Sequence, residues 1–147
     1  MLDIYVKTFN ELSINDLYDL LQLRSEVFII EQNCIYQDID GKDEKSLHVI
    51  GKSNHKIVAY TRLFKPGDYF KESSIGRVVV DKKVRHLSYG SLIMEASITA
   101  IHNKFKTSKI HISAQSHLEN FYNKFGFKSI GKTYLEDGIP HIEMKID

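Results

Sequence analysis

The sequence predicts an α/β domain in which a mixed sheet carries helices on both faces. Three observations lead there. Segments rich in β-branched residues recur along the whole chain, and helical periodicity interrupts them repeatedly. Only two prolines, Pro66 and Pro140, punctuate the pattern, so no linker or domain boundary stands out. With 147 residues, 42% hydrophobic and 27% charged, residues 1–147 have the size and composition of a single domain.

Residues 2–9 alternate as a first strand. Ser13 has the character of a helix N-cap, with Asp16 near the positive helix end. Leu17, Leu20, Leu21, Arg24, Val27 and Phe28 then keep helical spacing, which predicts a helix to about Ile30. Residues 31–46 are polar and acidic and read as a loop. Residues 47–52 and 56–64 form two strands around a short turn at 53–55. Residues 75–80, Ile-Gly-Arg-Val-Val-Val, suit a central strand. After a polar segment, Leu92, Ile93, Ala96, Ala100 and Ile101 mark a second long helix. Residues 109–114 are a strand, and Ser116 can cap a helix through about Lys124. Residues 127–133 and 141–146 close the chain as strands. The order is β-α-β-β-β-α-β-α-β-β.

Bulk properties exclude several functions. The net charge of +1 gives no electrostatic footprint for a nucleic acid or an anionic membrane surface. Cys34 is the only cysteine, so no disulfide forms within the chain and a reducing cytoplasmic setting is expected. No apolar run reaches the length of a membrane span, and the N-terminus lacks a signal-peptide pattern. The sequence does not set the oligomeric state; a homodimer is compatible with it.

The most informative stretch runs from Val78, Val79 and Val80 through a basic loop into the second long helix. A strand, a loop and a helix N-terminus in that order suit a pyrophosphate, because unpaired N–H groups and the helix dipole both favour an anion. Arg85 adds a permanent cation, and Gly90 lets the backbone approach a ligand. The segment Arg85-His86-Leu87-Ser88-Tyr89-Gly90-Ser91 resembles the pyrophosphate signature of the GNAT acetyltransferases, Arg-x-x-Gly-x-Gly/Ala. Ser88 stands where that signature has its first glycine. We expect it in ordinary helix-entry geometry, where a serine costs little.

A second segment agrees. Gln115 to Phe127 resembles the GNAT stretch Asn-x-x-Ala-x-x-Leu-Tyr-x-Lys-x-Gly-Phe, which lines the pantetheine arm. Gln115 replaces its Asn and Leu118 its Ala. The resemblance implies that Gln115, Asn120 and Tyr122 face the cofactor and that Tyr122 is the general acid. Longer stretches, from Leu20 to Gly41 and including Ala114 to Leu118 and Glu136 to His141, are similar to the ElaA-like branch of that family. The resemblance implies a GNAT fold, a central mixed and mostly antiparallel sheet of about seven strands. It also implies acetyl-coenzyme A as co-substrate, without a metal, and an amine acceptor that it does not name. A backbone N–H of residues 78–80 would stabilise the oxyanion. Glu31, His48 and His141 are the candidate bases or acceptor-site residues. The rival class is a non-catalytic acyl-coenzyme A sensor on the same fold.

Three patterns are decoys. Residues 126–133 match the P-loop letters Gly-x-x-x-x-Gly-Lys-Ser/Thr, but they follow a helix and run towards Pro140 rather than opening one. The glycine in Asp38–Asp43 has the wrong spacing for a calcium loop. That segment either shapes the acceptor entrance or is a solvated loop. Its ion-pair partners would be Arg24 and Arg77 unless those side chains are exposed charges. His48, His55, His111 and His117 lack zinc-ligand spacing, and Cys34 is expected to be structural and partly buried.

Overall fold

A computed structural model describes all residues, Met1–Asp147. Seven strands form two antiparallel sheets that meet edge to edge. The first has the order β1 (Asp3–Thr8), β2 (Leu47–Ser53), β3 (Lys56–Phe64) and β4 (Ser74–Val80). The second has the order β5 (Ile110–Gln115), β7 (Ile139–Ile146) and β6 (Lys128–Glu136). A single parallel bridge between Ser73 and Ile110 joins them, with the His111 amide donating to the Ser73 carbonyl at 2.8 Å. The result is the mixed, mostly antiparallel sheet expected.

Strand β3 explains why helices cover both faces. Every residue from Ile57 to Phe64 is buried, so the strand has no solvent side to spare. Side chains alternate between the two cores. Val49, Ala59 and Leu63 join Ile93, Met94 and Ile101 of helix α2 (Tyr89–Phe105), whereas Ile50, Ile57 and Tyr60 meet Leu20 and Leu23 of helix α1 (Ile14–Arg24). Burying a leucine as fully as Leu20 contributes about 1.5–3 kcal/mol. Ser13 caps α1 as expected, accepting from the Asp16 amide at 3.0 Å.

Several boundaries differ from the sequence reading. The first helix leaves α geometry at Arg24 and continues as a π-helical stretch, Ser25–Glu31. Its wider turns close with the Gln32 amide on the Val27 carbonyl and the Cys34 amide on the Ile29 carbonyl, both at 3.1 Å. The polar segment before α2 coils into a 3-10 stretch, Lys82–Leu87. Ser116 does not cap an α-helix. It begins a 3-10 turn, and helix α3 is only Glu119–Asn123, with no side-chain cap. Strand β6 runs on to Glu136 before a tight turn at Asp137 and Gly138, both with positive φ. The P-loop look-alike is therefore largely strand, without a helix behind it.

Candidate active site

Beyond the bridge at Ser73 and Ile110, β4 and β5 diverge, and two cavities open between them. One has a volume of about 460 Å³ and the other about 110 Å³. Phe28, Gln32, Val78, Gln115, Leu118 and Tyr122 line both, so the cavities meet there. The Gln115 amide reaches Gln32 at 3.4 Å across that junction.

A bulge in β4 shapes the junction. Tyr60 pairs with Val79 and Arg62 with Gly76, which leaves Arg77 and Val78 out of the ladder. Arg77 pays for this with φ 50, the left-handed region that non-glycine residues avoid. Its guanidinium is fixed on the acidic loop, Nε at 2.7 Å from Asp38 Oδ1 and Nη2 at 3.1 Å from the Asp38 carbonyl.

The larger cavity lies against the start of α2. Val78, Val79, Val80, Arg85 and Gly90 line it. A Cβ at Gly90 would meet only ordinary contacts, with Phe121 Cζ at 3.5 Å, so the fold itself does not demand glycine there. Ser88 corrects the expectation. It adopts φ 60 and ψ 25, the left-handed conformation its signature glycine would take freely, and its side chain makes no capping bond. Ser88 is at once the C-cap of the 3-10 stretch and the N-cap of α2, and the joint between the two helices takes this conformation although the residue is not glycine. Its carbonyl accepts from the Leu92 amide, so the preceding helix amides of Tyr89, Gly90 and Ser91 have no intrahelical partner. The Tyr89 side chain turns inward and is buried, while His86 and Leu87 are exposed; none of these side chains lines the cavity. Arg85 is held by Glu31, Nη1 to Oε2 at 2.5 Å and Nη2 to Oε1 at 2.8 Å. Those bonds hold the Glu31 carboxyl below its ordinary range.

Tyr122 stands at the junction, 5% exposed, between Phe121 and Phe127 in edge-on contacts. Burial alone pushes its phenol pKa well up, so it keeps its proton. Asn120 is exposed and lines neither cavity.

Arg62 and Arg77 line the smaller cavity and belong to a buried ion network behind it. Arg24, fully buried, donates to Asp38 at 3.0 Å and Asp43 at 2.7 Å. Arg62 takes Asp40 at 2.8 and 2.9 Å and Asp43 at 3.0 Å. Burial would raise the carboxyl pKa values, but the bonds from Arg62 and Arg24 outweigh it and hold Asp40 and Asp43 low. The Asp38–Asp43 loop is thus pinned by buried ion pairs rather than solvated, and it lies behind Arg62 and Arg77 without lining either cavity itself.

The three candidate bases separate clearly. His48 is fully buried, with Nε2 on the Asp43 carbonyl at 2.9 Å and Nδ1 accepting from the Tyr60 hydroxyl at 2.6 Å. It lines neither cavity, and no nitrogen is left to take a proton from a substrate. Glu31 is committed to Arg85 in the larger cavity. His141 lines the smaller cavity together with Tyr122. Its Nδ1 lies 2.7 Å from the Ile139 carbonyl, which can only accept, so the neutral ring carries its proton there. Nε2 is then the lone-pair nitrogen, 3.5 Å from Glu136 Oε2. Cys34 is buried, its thiol donating to the Asp137 carbonyl at 2.9 Å and tying the loop to the β6–β7 turn.

Sequence reasoning missed Gln32, Arg62 and Glu136. Arg62 sits mid-strand among apolar neighbours, a buried-charge signal that could have been read as a partner for the acidic loop. Gln32 and Glu136 carry no such mark, since only the π-helical stretch and the β6–β7 hairpin bring them inward.

Comparison with known proteins agrees with this architecture. Residues 8–147 match the family model for an acetyltransferase (GNAT) domain. Protein ElaA of Escherichia coli strain K12 is 43% identical over 137 residues, 92% of this chain and 90% of that protein. The crystal structure of Escherichia coli ElaA superposes with a TM-score of 0.93 at 40% identity, covering 100% of both chains. An acyl-CoA N-acyltransferase from Pseudomonas aeruginosa gives a TM-score of 0.93 at 37% identity over 99% of both chains. A GNAT family acetyltransferase from Elizabethkingia anophelis, solved with acetyl-CoA bound, shares the fold at a TM-score of 0.65 and 18% identity, over 99% of this chain and 97% of that one. On sequence, fold and the cleft between β4 and β5, the chain belongs to the GNAT acetyltransferase family, in its ElaA-like branch.

Proposed function

We propose that the protein transfers an acetyl group from acetyl-coenzyme A to a primary amine by direct attack, with Tyr122 as general acid. The observation that carries this reading is the meeting of the two cavities at Tyr122. The larger cavity fits the cofactor. The free amides at the start of α2, the Arg85 cation and the space left by Gly90 form a cradle for a diphosphate. Gln115 offers an amide to the pantetheine arm. The bound cofactor supplies an activated thioester, and the Elizabethkingia anophelis relative is one member of this fold that binds it.

The chain's own residues then have distinct tasks. His141 Nε2 accepts a proton from the ammonium form of the acceptor. The freed nitrogen attacks the thioester carbon, and the Val78 amide, out of register with β3, donates to the developing oxyanion. The C–S bond breaks as the C–N bond is completed. Tyr122 gives its proton to the sulfur and regains one from solvent, the new amide releases its second proton to solvent, and His141 Nε2 gives up to solvent the proton it took. One acetyl group moves and one proton is released per turnover. A cytoplasmic setting belongs to this reading, on the lone thiol of Cys34.

The test is Tyr122→Phe, assayed by thiol release against an amine panel and by titration calorimetry with acetyl-coenzyme A. Turnover should fall about a hundredfold, the lower range for a general acid, while cofactor affinity changes less than about twofold. Unchanged turnover would remove Tyr122 from the acid role. Cofactor binding without transfer to any amine would favour a sensor on the same fold.

A further inference from the structure

We infer that the acceptor is a small aliphatic di- or polyamine, received as a polycation by Glu136 and Asp137 beside His141. The inference rests on the acetyltransferase reading and names the substrate class of its smaller cavity.

The first observation is a pair of acceptors facing each other. His141, with 9% of its side chain exposed, presents the lone pair of Nε2 to the cavity, 3.5 Å from Glu136 Oε2. Neither atom can donate to the other while the ring is neutral, and in that state the pair accepts a donor placed between them. Glu136 Oε1 already accepts from Ser113 Oγ at 3.3 Å, and Ser113 in turn bonds the Tyr134 hydroxyl. Oε2 is the oxygen left for a ligand. An ammonium group supplies N–H donors to both Oε2 and Nε2 and carries the charge the carboxylate needs.

The second observation is the charge distribution. Arg24, Arg62 and Arg77 are each paired with Asp38, Asp40 or Asp43, so the wall behind the cavity is neutral. No cation is left over to receive a substrate carboxylate; Arg62 has only 2% of its side chain exposed. Glu136 and Asp137, by contrast, line the cavity with no Lys or Arg partner. Two uncompensated carboxylates match two ammonium groups better than one. Tyr36 and Tyr69 add aromatic wall, against which an alkyl stem packs. An α-amino acid would bring its own carboxylate against Glu136 and Asp137. A peptide lysine would bring a neutral backbone where the second ammonium belongs.

The experiment compares 1,4-diaminobutane with n-butylamine, which keeps the length and deletes one charge. Free lysine and a lysine peptide complete the panel, and binding is measured by calorimetry alongside acetyl transfer. The diamine should exceed butylamine in kcat/KM by about tenfold, the effect of one charge-assisted contact of ordinary strength. Asp137→Asn keeps a residue that tolerates the positive φ at that turn. It should raise KM several-fold more for the diamine than for butylamine. Glu136→Gln should weaken both. Equal use of butylamine and the diamine, or transfer to free or peptide lysine with the diamine at background, overturns the inference. Failure of the diamine to bind does the same, even if other amines are acetylated. Diamine binding that Asp137→Asn weakens, with no transfer to any amine, supports the cation site and overturns only the transferase reading.

Discussion

Ser88 holds φ 60 at a reversal of the chain, with no capping bond to offset it. A left-handed L-residue costs roughly 1–2 kcal/mol, and glycine adds roughly 0.5–1 kcal/mol of unfolded-state entropy. Ser88→Gly should therefore stabilise the protein by about 0.5–1 kcal/mol, read as a rise in urea midpoint at unchanged slope. A lower midpoint would show that the serine is not strained. This strain is not written in the sequence, because serine is an ordinary N-cap and the 3-10 stretch that makes Ser88 a C-cap as well was not foreseen. The same contrast separates the histidines. His48 and His141 look alike in sequence, yet one is enclosed by Tyr60 and Asp43 and the other opens onto the cavity. Ser13 was legible, since a cap acts within its own turn, whereas Arg24 was left between an ion pair and an exposed charge until its burial decided for the pair.

At the scale of elements, the start of α2 separates a requirement of the fold from a requirement of the ligand. Gly90 lies in the first turn, and an added Cβ would meet Phe121 Cζ at 3.5 Å and Val80 Cγ2 at 3.8 Å, ordinary packing distances. Alanine is also the better helix former, by up to about 1 kcal/mol. Gly90→Ala should keep or raise the melting temperature while placing a methyl group in the larger cavity. Calorimetry should show acetyl-coenzyme A affinity down by roughly tenfold, or 1.4 kcal/mol. A stable variant with unchanged affinity would place the cofactor elsewhere. The strand–loop–helix order around this residue was readable, because polarity and β-branching change sharply at its boundaries. The π-helical stretch was not. Over the seven residues Ser25–Glu31 the apolar positions suit either helix, and Val27 and Phe28 are buried in the wider turn. That stretch nevertheless delivers Gln32 to the junction and Glu31 to Arg85.

For the molecule as a whole, the buried polar layer between α1, β3 and the acidic loop makes stability depend on pH in two stages. Burial holds the His48 pKa below 6.5, since neither Arg24 nor Arg62 nearby tolerates a second cation and Tyr60 donates to its Nδ1. The unfolded chain therefore binds a proton at this histidine before the folded one does. Stability from this group is complete above about pH 6.5 and declines as pH falls, until the folded ring also titrates. The carboxylates act lower. Asp40 and Asp43 are held low despite burial by Arg62 and Arg24, and Glu72 is lowered to about 2 by Lys145. Their contribution is present above the ordinary carboxylate range near pH 4 and is lost as pH falls through the folded values. The melting temperature should thus fall gently from pH 7 to 5 and steeply below 4. His48→Gln replaces the ring with an amide that can still donate to the Asp43 carbonyl and accept from Tyr60, but cannot titrate. It should flatten the upper stage relative to wild type and leave the lower one in place. An unaltered slope between pH 7 and 5 would show that folding does not lower the His48 pKa. The hydrogen bond from Tyr60 to Nδ1, and with it the neutral core behind the active site, would then be wrong.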